Sequence, residues 1–363
     1  MSMKKFSGRA VLAAAFVAGG VASAAAADKE VHVYNWSNYI DDSILADFTK
    51  ATGIKVIYDV YDSMETLEAK MFTGRSGYDV VVPTDRNMQV LIEAGAFQKL
   101  DKSKIPNLKY AWPDIYKRLA TYDPGNEYAV NYMWGTTGLG YDKAKIDARM
   151  PDAPVNSMDM IFKPEVAAKF ADCGIYMLNS PEDVMPAALN YLGLPPDSKN
   201  KEDLQKAADL LLKIRPYVRK FDSSLINPLA TGEACVAFGF SGDILQARDT
   251  AKSGVEIVYS IPKEGALLWM DSMVIPKDAP NPEAALAFIN YIQTPEVIAK
   301  ATNFVKYPNG NLESQKYVDP AILKDPTIYP PADTMAHLYT TTPNSDEIQD
   351  AMTALWQQVL AGK

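Results

Sequence analysis

The chain has 363 residues, of which 48% are hydrophobic, a formal net charge of -9 and two cysteines. This length exceeds the size that a single hydrophobic core usually serves, so more than one lobe is expected. An acidic surface disfavours nucleic acid and anionic lipid and favours cationic small molecules, although solubility alone can also account for it.

The first 27 residues carry the pattern of a cleavable export signal. Lys4, Lys5 and Arg9 precede an apolar run from residue 10 to 21, and small residues follow, ending at Ala27. The apolar run is too short for a membrane span, so we expect export and cleavage near Ala27.

The two cysteines, Cys173 and Cys235, are separated by 62 residues. In an oxidising compartment such a pair predicts one structural disulfide. A metal or redox role is disfavoured, because the sequence has no C-x-x-C and only two histidines.

The N-terminal third alternates predicted strands and helices. Apolar strands separated by amphipathic helices indicate βαβ units and a parallel sheet. The strands are predicted at 31–35, 54–60 and 78–82, and the helices at 43–52, 63–72 and 87–95.

A second α/β region follows segment 127–141, whose β-forming residues are interrupted by glycines. Such a segment suits a strand that leaves one lobe and enters another. Further helices are predicted at 157–171, 181–192, 201–218 and 282–293, with a strand at 234–240 leading into a helix capped by residues 241–243, and strands at 255–261 and 266–275.

Catalytic motifs are missing from the sequence. It has no G-x-S-x-G, H-E-x-x-H or phosphate-binding loop, and with two histidines it offers little for acid-base catalysis. No catalytic residue, cofactor or metal is therefore predicted. Two alternatives stay open: a glycan hydrolase that uses paired carboxylates, and a carrier that binds Fe(III) through some of the 20 tyrosines.

Aromatic, hydroxyl and carboxylate side chains recur at predicted strand ends, where open α/β sheets bind ligands. Aromatic faces attract ammonium groups and cover methylene chains, while carboxylates form strong hydrogen bonds to amines. The pattern predicts a site for a diamine or polyamine. Its residues are Trp36, Ser37, Tyr39, Thr84, Phe240, Asp243, Trp269 and Asp271.

Each of these residues also has an ordinary structural explanation. Trp36 and Tyr39 could simply pack in a core, and Asp243 could be only a helix N-cap. Asp271 is the sharper anomaly, because it lies inside an apolar strand. A buried carboxylate needs a partner, so a ligand cation or a nearby Arg is expected.

Six blocks of sequence together resemble the periplasmic putrescine/spermidine-binding proteins of ABC transporters. They cover nearly the whole chain after the export signal. The blocks are 33–39, 78–83, 180–184, 239–243, 261–265 and 328–331.

The resemblance implies an α/β, two-lobed periplasmic-binding-protein type II fold, with lobe 1 at 28–134 plus 262–308 and lobe 2 at 135–261 plus 309–363. It adds Asp183 and Tyr307 to the expected ligand-binding residues, and the cysteine pair matches a family disulfide. It further implies a monomeric periplasmic receptor, not an enzyme, that delivers a polyamine to an inner-membrane permease.

Several positions depart from what is common in this family. Asn38 stands where putrescine-type members often have Asp, Thr84 where Ser is common, Asp183 where Glu is common and Phe240 where Trp is common. Trp269 matches spermidine-type members, and the shorter Asp183 leaves room for a longer ligand. The sequence thus leans toward spermidine and leaves putrescine open.

Overall fold

The computed structural model describes residues 29–362, so the predicted export signal at 1–27 lies outside the described residues. None of the helices in the described range is both long and apolar enough to cross a membrane. The strands are β1 (Glu30–Trp36), β2 (Lys55–Tyr61), β3 (Val80–Val81), β4 (Val130–Asp142), β5 (Ile175–Met177), β6 (Val218–Phe221), β7 (Val236–Phe240), β8 (Ile257–Ser260) and β9 (Leu267–Met273).

The α-helices are α1 (Asp42–Thr52), α2 (Met64–Phe72), α3 (Asp85–Glu93), α4 (Pro113–Leu119), α5 (Lys143–Arg149), α6 (Asp159–Phe162), α7 (Pro164–Ala167), α8 (Pro181–Tyr191), α9 (Lys201–Ile214), α10 (Ile226–Thr231), α11 (Ser241–Asp249), α12 (Pro282–Ile292), α13 (Pro295–Val305), α14 (Pro320–Leu323), α15 (Ala332–Ala336) and α16 (Asp346–Ala361). Short 3-10 helices occupy Lys102–Lys104, Pro106–Tyr110, Pro124–Asn126, Arg215–Tyr217 and Leu312–Lys316.

The first sheet is parallel and has the strand order β2-β1-β3. Helix α1 connects β1 to β2. It begins where the Asp41 side chain accepts a hydrogen bond from the Ser43 N–H, and it ends at Gly53, whose φ of 72° suits glycine. Isolated bridges from Val81 to Val274 and from Thr84 to Asp271 attach β9 beside β3. We call this side of the molecule lobe 1, and the predicted βαβ pattern is confirmed here.

Strand β4 belongs to both halves of the molecule. Its first part pairs antiparallel with β9, from Val130 opposite Met273 to Thr137 opposite Leu267. Its last part lies between β7 and β8 in the second sheet. The strand is buried along its whole length. The predicted passage of segment 127–141 between lobes is therefore confirmed.

The second sheet has the strand order β6-β5-β7-β4-β8 and forms the centre of what we call lobe 2. One large hydrophobic core surrounds it, drawing on residues 139–259 and on the C-terminal segment as far as Val359. Strands β8 and β9, which flank the turn at 262–265, both pair with β4 at successive positions. The turn therefore returns the chain to lobe 1.

Two predicted helices differ from the structure because of proline. The helix expected at 157–171 divides into α6 and α7, since Pro164 lacks an N–H and the preceding Lys163 is extended. The helix expected at 201–218 ends at Ile214, where Arg215–Tyr217 with Pro216 forms a 3-10 turn and β6 begins.

Cys173 and Cys235 form the expected disulfide in the core of lobe 2. Closing a loop over a separation of 62 residues restricts the unfolded chain, so reduction should lower the free energy of unfolding by about 4 kcal/mol. Guanidinium unfolding with and without reductant measures this. An unchanged midpoint would contradict the expectation.

Candidate ligand-binding site

Most of the predicted site residues meet where β4 and β9 pass between the lobes. Tyr39 follows β1, Thr84 precedes α3, and Trp269 and Asp271 lie on β9. From the other side, the end of β7 brings Phe240, the first turn of α11 brings Asp243, and the start of α8 brings Asp183. Tyr307 follows α13. The residues thus line a cleft between the two sheets.

Asp271 is the carboxylate on the lobe 1 side of the cleft. The Tyr39 hydroxyl donates to its Oδ2 at 2.7 Å, and the Thr84 hydroxyl donates to its Oδ1 at 2.6 Å. Its side chain is only 5% exposed. Burial raises the pKa of Asp271 to about 6, although both hydroxyl groups act to lower it. The sequence predicted a ligand cation or an Arg beside Asp271. In the described structure its side-chain partners are two hydroxyl groups, and none of them is an Arg.

Asp243 forms a reciprocal pair with Tyr307. The Tyr307 hydroxyl donates to Asp243 Oδ1 at 3.1 Å, and the Asp243 backbone N–H donates to the same hydroxyl at 3.2 Å. Burial raises the pKa of Asp243 to about 6. The residue lies in the first turn of α11, whose N-cap is Phe240. The suggestion that Asp243 is only an N-cap is therefore wrong.

Asp243 and Asp271 are both without a cationic partner. Within residues 29–362, no Lys, Arg or His forms an ion pair with either carboxylate, and none is a cause of their pKa shifts. Buried carboxylates in this condition attract a cation that can replace their lost hydration.

Aromatic rings form the wall beside these carboxylates. The ring of Trp269 packs edge-to-face against Tyr307, with centroids 5.0 Å apart, and against Phe240 at 5.8 Å. Tyr39 packs against Tyr307 at 5.6 Å. The wall joins residues from both lobes and offers ring faces to an ammonium or methylene group.

Two glycines allow this wall to form. A Cβ at Gly135 on β4 would lie 2.5 Å from the Trp269 ring, and one at Gly242 would lie 2.3 Å from the Tyr307 ring. Any side chain at either position would displace the aromatic residue beside it. Gly135 in segment 127–141 therefore serves close packing of the cleft as well as the strand itself.

Asp183 provides a third carboxylate, from the first turn of α8. The Ser180 hydroxyl donates to its Oδ2 at 2.6 Å, and the Thr137 hydroxyl donates to its Oδ1 at 3.4 Å. Burial raises its pKa, and the positive charge of Arg86 partly lowers it. The charge of Asp183 is one of the causes that raise the pKa of Asp271, which places the two carboxylates near each other.

Trp36 and Ser37 lie beside the cleft. The Trp36 indole N–H donates to the Val82 carbonyl at 3.0 Å, and its ring packs on Tyr61 at 4.6 Å. Ser37 donates to Asp62 at 2.5 Å. In this arrangement the Ser37 hydroxyl is occupied by a surface carboxylate, so the structure does not bring it to the three buried ones.

The sequence reasoning missed Thr137, Ser180 and Arg86, which support the site, and it noted Asp85 only as the carboxylate beside Thr84 at a predicted strand end. Thr137 and Ser180 hold Asp183, and Arg86 lies close enough to affect its charge. Asp85 accepts hydrogen bonds from the Met270 and Arg86 N–H groups, which fixes β9 against α3. Arg86 could have been found, because it follows Thr84 and Asp85 at the same strand end.

Metal binding has no support in the geometry. Across the described part of the chain, no group of three or more His, Cys, Asp or Glu side chains is placed to hold a metal ion. The Tyr39 and Tyr307 hydroxyls donate to carboxylates, and burial keeps their pKa well above the usual range. Neutral phenols of this kind are poor ligands for Fe(III).

Residues 43–330 match the family model described as bacterial extracellular solute-binding protein. This match covers more than half of the chain, and the chain belongs to that family. The two-lobed type II fold expected from the sequence is confirmed by solved relatives. The putative spermidine/putrescine ABC transporter of Listeria monocytogenes has a TM-score of 0.82 and 31% identity over 92% of this chain and 100% of that chain.

Relatives that match over nearly their whole length are also named as binding proteins for putrescine or for spermidine and putrescine. The putrescine-binding periplasmic protein SpuD of Pseudomonas aeruginosa is 50% identical over 99% of this chain and 100% of its own length. The putrescine-binding periplasmic protein PotF of Escherichia coli is 44% identical over 97% of both chains. The spermidine/putrescine-binding periplasmic protein of Escherichia coli is 35% identical over 92% of both.

Proposed function

We propose that this protein is a periplasmic receptor that binds a linear polyamine and delivers it to an ABC-transporter permease without chemical conversion. The observation that carries the proposal is the pair of buried carboxylates, Asp243 and Asp271, each held by a tyrosine hydroxyl and without a cationic partner in the described structure. Protonated amines are the complementary ligands.

The names of the relatives support a polyamine as the ligand. Those at 44–50% identity are named for putrescine, with or without agmatine. The relative at 35% is named for spermidine and putrescine together. The relatives named as periplasmic support a periplasmic location, and the solved relative named as part of an ABC transporter supports a permease partner. We further propose that residues 1–27 are removed, that the protein acts as a monomer and that it does not catalyse a reaction.

Of the ten residues predicted from sequence, we assign direct ligand contact to Tyr39, Thr84, Asp183, Phe240, Asp243, Trp269, Asp271 and Tyr307, and we assign Trp36 and Ser37 to the edge of the site. We also propose lobe 1 as 28–134 plus 262–308 and lobe 2 as 135–261 plus 309–363. The hydrophobic cores support this division apart from Ala299, which packs in the core of lobe 2, and Leu338, which packs in a core of lobe 1. The relatives named above give no support to the glycan hydrolase or to the Fe(III) carrier.

Native mass spectrometry of protein extracted gently from the periplasm tests the function. The expected result is one polyamine per protein, released on denaturation and identified by its mass. Titration calorimetry of the stripped protein should then restore binding with a stoichiometry of one. Recovery of a sugar or of iron, with no binding of amines, would contradict the proposal.

A further inference from the structure

Arg86 places a positive charge at one end of the cleft. It lies in the first turn of α3, two residues after Thr84, on the lobe 1 side. Its Nη1 donates to the Glu182 carbonyl at 2.9 Å and to the Thr341 hydroxyl at 3.1 Å. Since Glu182 immediately precedes Asp183 on α8, these bonds fix the guanidinium beside the Asp183 end.

The three cleft carboxylates are therefore not equivalent. Arg86 influences the ionisation of Asp183, whereas no basic residue of the described chain influences that of Asp243 or Asp271. Asp243 and Asp271 are uncompensated, and each accepts a hydrogen bond from a tyrosine of the aromatic wall. Asp183 has a cation of the protein nearby, and the same cation also acts on Asp85.

We propose, on the basis of the polyamine function above, that Arg86 determines specificity by making the Asp183 end of the cleft unfavourable for an additional ammonium group. A short diamine places one amine at Asp243 and Asp271 and only its far amine near Asp183. Spermidine has a further aminopropyl group, whose terminal ammonium must approach the guanidinium. Like charges in a desolvated cleft repel, and such repulsion discriminates between ligands.

The positive charge of Arg86 reverses the preference for spermidine that Asp183 and Trp269 predict. Those two residues add space and ring area, but neither removes the charge on Arg86. Its hydrogen bonds to the Glu182 carbonyl and the Thr341 hydroxyl hold that charge in place across the lobe interface. A diamine such as putrescine or cadaverine is therefore the preferred ligand.

Calorimetric titration of putrescine, cadaverine and spermidine into the wild-type protein and Arg86→Gln tests the proposal. The wild type should bind putrescine at least tenfold more tightly than spermidine. Arg86→Gln should shrink this ratio at least tenfold, chiefly by strengthening spermidine binding. Arg86→Lys keeps the charge and should preserve the preference for the diamine.

Arg118→Gln is the matched control, because Arg118 is a half-buried arginine that donates to the backbone carbonyl of Met335 and has no cleft carboxylate beside it. It should leave the ratio unchanged. An equal loss of affinity for all three amines in Arg86→Gln would show that Arg86 only holds the lobes together, and would overturn the proposal.

Two further outcomes are distinct. Tighter wild-type binding of 4-aminobutyrate than of putrescine would show that Arg86 recruits a ligand carboxylate, and would also overturn the proposal. If the wild type bound no amine, the polyamine function itself would fail, whatever the behaviour of Arg86→Gln.

Discussion

Asp271→Asn should weaken putrescine binding by about 30-fold or more, equivalent to ~2 kcal/mol, because it removes one member of a buried, charge-assisted pair. Asn keeps the shape of the side chain and can still accept a hydrogen bond from Tyr39 or Thr84. It cannot supply the negative charge that an ammonium requires. Asp243→Asn should have an effect of similar size. Calorimetry or a fluorescence titration of the stripped protein measures both.

The stability of the ligand-free variant separates a binding role from a structural one. The raised pKa of Asp271 means that its charge destabilises the folded protein at neutral pH. The melting temperature of ligand-free Asp271→Asn should therefore not fall at pH 7.

Asp123→Asn is the control for loss of any buried carboxylate. Asp123 is 1% exposed and accepts three backbone N–H groups, those of Glu127, Tyr128 and Ala129. Its replacement sets an amide NH2 against backbone N–H donors, which cannot accept a hydrogen bond as the hydroxyls beside Asp271 can, so it should lower the melting temperature and leave putrescine affinity unchanged. Unaltered affinity in both Asp271→Asn and Asp243→Asn would refute the assignment of these residues to the site.

Acidification is the second change with a large expected effect. Burial raises the pKa of both Asp243 and Asp271 to about 6 in the ligand-free protein. At pH 5 roughly a tenth of each is ionised, so putrescine affinity should fall roughly 100-fold between pH 7.5 and pH 5. Binding near pH 6 should release protons, because the ammonium groups favour the ionised carboxylates. Calorimetry in buffers of different ionisation enthalpy counts these protons.

The stability of the ligand-free protein should change in the opposite direction. A carboxyl whose pKa is higher in the folded than in the unfolded protein binds more protons in the folded state. Its contribution to the free energy of unfolding therefore grows as the pH falls from about 6 toward the ordinary pKa of the group. Because putrescine binds less tightly at low pH, the rise in melting temperature that it causes should shrink on acidification. Asp271→Asn should reduce the pH slope of binding by about one proton. A constant affinity from pH 7.5 to 5 would contradict the proposed role of these carboxylates.

The sequence predicted the site best where the chemistry is local. Tyr39, Thr84 and Asp243 follow strands, and the carboxyl ends of neighbouring strands meet at one edge of a sheet. Asp271 stood out because a carboxylate in an apolar strand needs a partner. Both observations depend only on residue type and strand position.

Contacts between lobes could not be predicted in the same way. Arg86 reaches the carbonyl of Glu182 only because the two lobes close on each other. Within lobe 2, Thr137 reaches Asp183 only because the fold brings the end of β4 to the start of α8. The break in the helix at Pro164 could have been predicted from the sequence, because proline lacks an N–H. The start of β6 at Val218 depends on pairing with β5, and sequence periodicity gives no information on that pairing.

Strand β4 connects the two lobes as a hydrogen-bonded β-strand and not as a loose linker. It is one continuous strand of the second sheet that pairs with β9 at one end and with β7 and β8 at the other, and Asp271 on β9 is bridged to Thr84 of lobe 1. Such a strand can flex while its hydrogen bonds persist, so the lobes would move along one path. A bound polyamine would neutralise Asp271 on β9 and Asp243 just after β7. This would change how β4 bends between the lobes. A membrane partner touching only the outer surface could then sense an occupied cleft as a change of shape.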